Sequence, residues 1–175
     1  MIKKIIFIFI LSQFWVISAI AATGDELLQA ETLLRAGDPD AAQERISELL
    51  RNTPDDVAAR FLQARIHTVR GETDNAIAGY EALIKEHPEL PEAYNNLAAL
   101  YVRRGDLAQA RLVLEQGLQT NPAYATLYRN IGAVYREMAR KSYTEARLLK
   151  GEMKPLELQQ LPELVASPHE RSIRR

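Results

Sequence analysis

Apolar side chains recur every three or four residues through most of this chain, and the recurrence is itself repeated at a longer interval. In the segment from Pro91 to Pro122, Tyr94, Leu97, Ala98 and Tyr101 fall on one face of a helix, and Leu107, Ala110, Leu114 and Leu118 on one face of the next. Gly105 and Asp106 separate the two runs. Glycine can take the left-handed conformation that ends a helix, and aspartate caps the one that follows. The expected helices are 25–36, 39–52, 55–70, 73–86, 90–104, 107–120 and a long last one over 124–150. No stretch alternates as a strand would.

The punctuation is periodic. Gly37, Gly71 and Gly105 are evenly spaced, and the same interval separates Ala42, Ala76 and Ala110, and Pro54, Pro88 and Pro122. Each unit is therefore a helix, a tight turn, a second helix and a turn. Pro122 is expected in the first turn of the last helix, with Asn121 as its cap. Ala30, Ala64, Ala98 and Gly132 follow the same period, midway along the first helix of each unit. A large side chain there would hold the paired helix away, so all four are expected at buried helix–helix contacts. After Tyr135 no Gly or Pro breaks the pattern, which predicts one continuous helix closing the stack.

A 34-residue helix-turn-helix unit with small, aromatic and proline marks at these places closely resembles the tetratricopeptide repeat, over roughly residues 23–149. The resemblance implies an all-α solenoid of about three and a half repeats (about 23–56, 57–90, 91–124 and a partial 125–150) with a long closing C-terminal helix. Leu33 stands where a Tyr is usual in the first unit, and His67 takes that place in the second. In such solenoids the first helices of successive units line a groove that holds a peptide segment of a partner. Carried onto this chain, the groove is faced by Phe61, Arg65, Thr68, Asn95, Ala99, Val102, Arg129, Asn130, Ala133 and Arg136, with Asn96 and Asn130 one period apart. The peptide-binding set drawn from these is Phe61, Arg65, Asn95, Asn96, Arg129 and Asn130. Asparagine both donates and accepts, which suits the amides of an extended peptide, and arginine can engage carboxylates in a bidentate way. Phe61 occupies the place of a lysine in the family's carboxylate clamp, so a partly apolar groove is expected rather than recognition of a free C-terminus.

The two ends differ from this middle. Lys3 and Lys4 precede an uncharged, mostly apolar run from Ile5 to Ile20, and Ala19-Ile20-Ala21 puts small residues where a signal peptidase reads. Residues 1–21 therefore read as a secretory signal peptide, cleaved to release a periplasmic or secreted protein. The alternative is a retained membrane anchor, although the run is shorter than the roughly 20 apolar residues a span needs. Residues 151–175 form a tail with Pro155, Pro162 and Pro168. It is expected to be mostly extended, the other reading being a short turn in which Leu156, Leu158, Leu161 and Leu164 dock on the closing helix.

Composition narrows the function. The 175 residues carry 22 basic and 23 acidic side chains, so no global field attracts nucleic acid. The basic clusters, Arg103-Arg104 and the terminal RSIRR, are short and not interleaved with aromatics. The chain has no cysteine, which excludes disulfides, thiol catalysis and Cys-ligated zinc. His67, His87 and His169 are far apart, and no phosphate loop, nucleophile elbow or His-Glu-x-x-His pair occurs. The expected protein is not an enzyme and needs no cofactor or metal. It is an interaction scaffold of the cell envelope with a protein or peptide partner, and membrane contact only if the N-terminus is uncleaved. The alternative is a membrane-anchored structural subunit of an envelope or secretion assembly, using its stacking faces rather than its groove.

Overall fold

A computed structural model describes residues 24–148. The proposed signal peptide and the proline-containing tail lie outside the described residues. Seven helices and no strand are found among the described residues: α1 over 24–35, α2 Pro39–Asn52, α3 Val57–Val69, α4 Thr73–Glu86, α5 Pro91–Arg103, α6 Leu107–Thr120 and α7 Ala125–Leu148. They match the helices expected from the periodicity to within two residues at each end. The chain divides into two compact units between Arg136 and Glu137.

In the first unit each helix pair closes by the same device. Gly37, Gly71 and Gly105 have φ of 85°, 75° and 79°, and the N–H of the residue after each reaches back to a carbonyl five residues earlier, as in Asp106 to Tyr101 at 2.9 Å. Asp38 and Asp106 then cap the second helices, accepting from the N–H groups of Ala41 and Gln109 at 3.0 Å. Glu72 begins α4 without such a bond, because its longer side chain is turned to His67 and Arg70 instead. Consecutive helices from α2 to α6 pack on one another, α2 on α3, α3 on α4, α4 on α5 and α5 on α6. The buried side chains are those the period marks: Ala42, Ala76 and Ala110 in the second helices, with Ile46, Tyr80 and Leu114 a turn later.

Small residues allow the close approaches. Ala30, Ala64 and Ala98 are buried as expected, and a Cβ placed on Gly79 of α4 would lie 3.1 Å from the Cβ of Ala64. Gly132 departs from the series. It is exposed, and a Cβ there would meet nothing within 4 Å. The reason is that α7 continues as one helix where the other units reverse, so no second helix of its own unit lies across Gly132 among the described residues.

The prolines also differ in part from expectation. Pro91 and Pro39 occupy the first turns of α5 and α2. Pro122 sits in the connecting turn before α7, not in its first turn. Asn121 is the C-cap of α6 rather than the N-cap of α7, and its side-chain amide donates to the Pro88 carbonyl at 3.2 Å, tying one inter-repeat turn to the previous one. A proline at 122 disfavours helical geometry at Asn121, whose φ and ψ are −131° and 64°.

The second unit contributes the C-terminal half of α7, where Arg140 pairs with Glu137 one turn away and Thr144 donates to the Arg140 carbonyl at 2.9 Å. No helix among the described residues is long and apolar enough to cross a membrane.

Candidate interaction surface

The residues expected to face a groove lie on α3, α5 and the part of α7 that belongs to the first unit. Phe61, Arg65, Thr68, Asn95, Asn96 and Asn130 are half-buried, whereas Ala99, Val102, Arg129, Ala133 and Arg136 are exposed. Several converge. The side-chain amide of Asn130 donates to the side-chain amide oxygen of Asn95, bridging α7 and α5. Asn95 in turn donates to Asn96 at 3.4 Å, and Asn96 donates to the hydroxyl of Tyr80 on α4 at 3.2 Å. Tyr80 meets Phe61 of α3 edge to face, with ring centroids 5.6 Å apart. One continuous line of contacts therefore runs Phe61, Tyr80, Asn96, Asn95, Asn130 across four helices.

These contacts do not exhaust the amides. Each asparagine offers two donor hydrogens and an oxygen with two lone pairs, so the ladder orients the groups while leaving hydrogen-bonding capacity toward solvent. Burial raises the Tyr80 hydroxyl pKa, opposed by Thr68, Asn96 and the positive charges of Arg65 and Arg103. The phenol thus stays neutral, a donor as well as an acceptor, with two guanidinium groups near it. Arg65 also lies 3.9 Å from Glu31 of α1. Arg129 and Arg136 are not drawn into the ladder.

Sequence reasoning missed Tyr80. It lies one period from Ile46 and from Leu114, both aliphatic core positions, and reads as core by period alone. The available signal was its hydroxyl, since a tyrosine in an aliphatic core position needs a polar neighbour. His67, expected to pack in the place of a tyrosine, is half-buried and its Nδ1 lies 2.5 Å from Glu72. The tyrosines in that place reach a glutamate twenty residues back, but for His67 the corresponding residue is Ser47, which Gln43 already engages.

No group of three or more His, Cys, Asp or Glu among the described residues could hold a metal ion.

Family models described as tetratricopeptide repeat match residues 27–91 and 70–131. The chain belongs to the tetratricopeptide repeat family. No curated protein matches it in sequence. Among solved structures it is similar to TTC0263, a thermophilic tetratricopeptide protein of Thermus thermophilus, at 26% identity, covering 86% of this chain and 78% of that one with a TM-score of 0.60. It is similar in fold to the Sgt2 domain of Aspergillus fumigatus, at 12% identity over 86% of this chain and 93% of that one, TM-score 0.64. A third similar fold is the first repeat domain of Spaghetti (RPAP3), bound to the HSP90 peptide SRMEEVD, at 13% identity over 67% of this chain and 95% of that one, TM-score 0.60.

Proposed function

We propose that this protein is a non-catalytic interaction scaffold that holds an extended peptide segment of a partner along α3, α5 and α7. The observation that supports this reading is the oriented amide ladder of Asn96, Asn95 and Asn130, flanked by an aromatic pair at one end and by exposed Arg129 at the other. Oriented side-chain amides suit the alternating N–H and C=O groups of a peptide backbone, Phe61 offers an apolar contact, and the arginines favour acidic side chains. The similarity in fold to a domain that holds an acidic HSP90 peptide agrees with such a use. Phe61 stands where a clamp for a terminal carboxylate needs a lysine, so the ligand is an internal acidic or mixed segment.

The N-terminal sequence supports work outside the cytoplasm. Lys3-Lys4, the apolar run and Ala19-Ile20-Ala21 have the three-part layout of a cleaved signal, and the partner is accordingly a cell-envelope protein.

An acidic peptide of about six residues carrying one apolar side chain is expected to bind at around the micromolar level, since few anchors are available. Replacing Asn96 and Arg129 together by alanine should abolish that binding and leave helicity unchanged by circular dichroism. A peptide or envelope partner that binds the double variant at full affinity would move the site to the outer helices and overturn this assignment.

A further inference from the structure

Three polar residues of the second and third repeats stand where the period puts apolar ones. Tyr80 takes the position of Ile46 and Leu114, Asn96 that of Leu28 and Leu62, and Thr68 that of Leu34 and Val102. All three meet at the Tyr80 hydroxyl, between α3 and α5. Asn96 donates to it at 3.2 Å and Thr68 hydrogen-bonds to it. Tyr80 is 1% exposed. Polar groups in positions shaped for aliphatic side chains cost desolvation, and the cost has to be met by what they bind.

The capacity left in this cluster is that of a donor. The Asn96 oxygen accepts from Asn95, the Tyr80 oxygen accepts from Asn96, and the Thr68 hydroxyl gives its own proton to the Ala64 carbonyl at 2.9 Å. A second N–H of Asn96 remains, together with the Tyr80 O–H, which can turn from Thr68 to a ligand. The charges of Arg65 and Arg103 act on the same hydroxyl. Neither is neutralised as Arg60 is by both oxygens of Glu86. Arg65 is 3.9 Å from Glu31, whose other oxygen accepts from Arg35 at 2.9 Å. Arg104 pairs with Asp74, whereas no ion pair of Arg103 is found among the described residues.

Charge is also divided between the two sets of helices. Along α3, α5 and α7 as far as Arg136, the arginines 60, 65, 103, 129 and 136 meet one carboxylate, Glu92. In α2 carboxylates outnumber cations by three to two, and in α4 by three to one.

We infer that Arg65, Arg103, Asn96 and the Tyr80 hydroxyl form a subsite for one side-chain carboxylate of the bound segment. This rests on the groove reading above and adds the place of the acidic residue and two residues, Tyr80 and Arg103, that select it. The guanidinium groups supply charge and paired N–H donors, and the hydroxyl and amide supply two more. A neutral amide in their place leaves those donors unanswered, so the subsite prefers an acid. Phe61 lies against the Tyr80 ring, with centroids 5.6 Å apart, so the apolar contact is beside the acidic one. In an extended segment the two side chains are then two residues apart, on one face.

The test is calorimetry of the full chain with end-capped hexapeptides holding one phenylalanine and one glutamate two residues away, on either side. The same peptides with glutamine serve as the reference. The better glutamate peptide should bind about tenfold tighter than its glutamine counterpart, the worth of one charge-assisted hydrogen bond. Arg103→Gln and Tyr80→Phe should each remove that preference while leaving the glutamine peptide's affinity as it was. Arg104→Gln, the same charge change one residue along, should keep the preference. Equal affinity for glutamate and glutamine peptides would overturn the subsite and leave the groove standing. A preference that survives Arg103→Gln and Tyr80→Phe, or that Arg104→Gln reduces as much, would place the acid elsewhere or reduce it to net charge, and would overturn it too. Binding of none of the peptides would overturn both the subsite and the groove.

Discussion

The hydroxyl of Tyr101 on α5 donates to Glu81 on α4 at 2.9 Å, joining the third repeat to the second across twenty residues of chain. The contact recurs one period later, from Tyr135 on α7 to Glu115 on α6 at 2.7 Å. A further series with the same period spans successive repeats, Asp40 with Arg70 at 3.1 Å and Asp74 with Arg104. Residues equivalent by period thus make equivalent contacts, which makes the role of a single side chain testable against its own counterpart.

Tyr94 and Tyr101 lie on the same helix but should respond oppositely to loss of the hydroxyl. Tyr101→Phe removes a bond to a carboxylate near the surface and is expected to cost about 0.5–1.5 kcal/mol. The Tyr94 hydroxyl is buried with no hydrogen-bond partner among the described residues. Tyr94→Phe should therefore be neutral or stabilise by up to about 1 kcal/mol, since it removes a desolvated polar group. Urea melts of the two variants give the comparison, and equal destabilisation would refute it.

Much of this fold can be read from the chain. The glycine, alanine and proline periods locate each turn, and the i, i+3, i+4 pattern gives each helix its buried face, because both reflect local geometry repeated without change. The errors fall where the repeat is interrupted. Gly132 keeps the spacing of the alanines but not their environment, since its burial depends on a second helix that α7 does not turn back to supply. The groove is legible only in part. Asn95, Asn96 and Asn130 can be found from the first-helix pattern. Tyr80 comes from a second helix whose register marks it as core, and only three-dimensional packing reveals that its hydroxyl reaches Asn96.

Two glycines on neighbouring helices make the same point in energies. Gly117→Ala would drive a Cβ to 2.9 Å from the Cβ of Tyr94, a rigid atom, and should destabilise by about 1–3 kcal/mol. Gly132→Ala meets nothing and gains helix propensity, about 1 kcal/mol in the stabilising direction. Ala98→Leu, at a buried contact, should resemble the first case, at about 1–3 kcal/mol. Thermal melts that rank Gly132→Ala below Gly117→Ala would show that the packing at the last repeat is misassigned.

Stability should fall at both extremes of pH. Burial opposes ionisation of Glu115, but the Tyr135 hydroxyl and Arg111 outweigh it and hold its pKa below 4.5, and Arg60 does the same for Glu86. A lowered folded pKa means stability present above 4.5 and lost as pH falls through the depressed value. Glu115 and burial raise the Tyr135 pKa above 10.0, so its contribution is complete below 10.0 and lost as pH rises through the raised value. The expected Tm profile is flat through neutrality with an acid and an alkaline limb. Tyr135→Phe should shallow the alkaline limb, and an unchanged limb would count against the Tyr135–Glu115 contact.

Trp15 is the only tryptophan, and it lies in the segment read as a signal. Protein purified from its native compartment should show tyrosine emission alone and an intact mass lacking the residues up to Ala21. Tryptophan emission from that material would favour the anchored reading.

The joint between α4 and α5 carries three of the contacts described above: Tyr101 to Glu81, Arg104 to Asp74 and Asn96 to Tyr80. By contrast, the joint between α2 and α3 has the Asp40–Arg70 pair, and the residue period-matched to Glu81 there is Ser47, which bonds within its own helix to Gln43 while His67 turns to Glu72. In a linear array stability is a sum over neighbours, so the chain need not open all at once. Fraying should begin at α1 and α2 and leave the middle pair as the last protected amides in hydrogen exchange. A partner laid along Asn96 and Asn130 would then grip the part of the molecule that opens least, while the N-terminal repeat remains free to peel away and re-form around it.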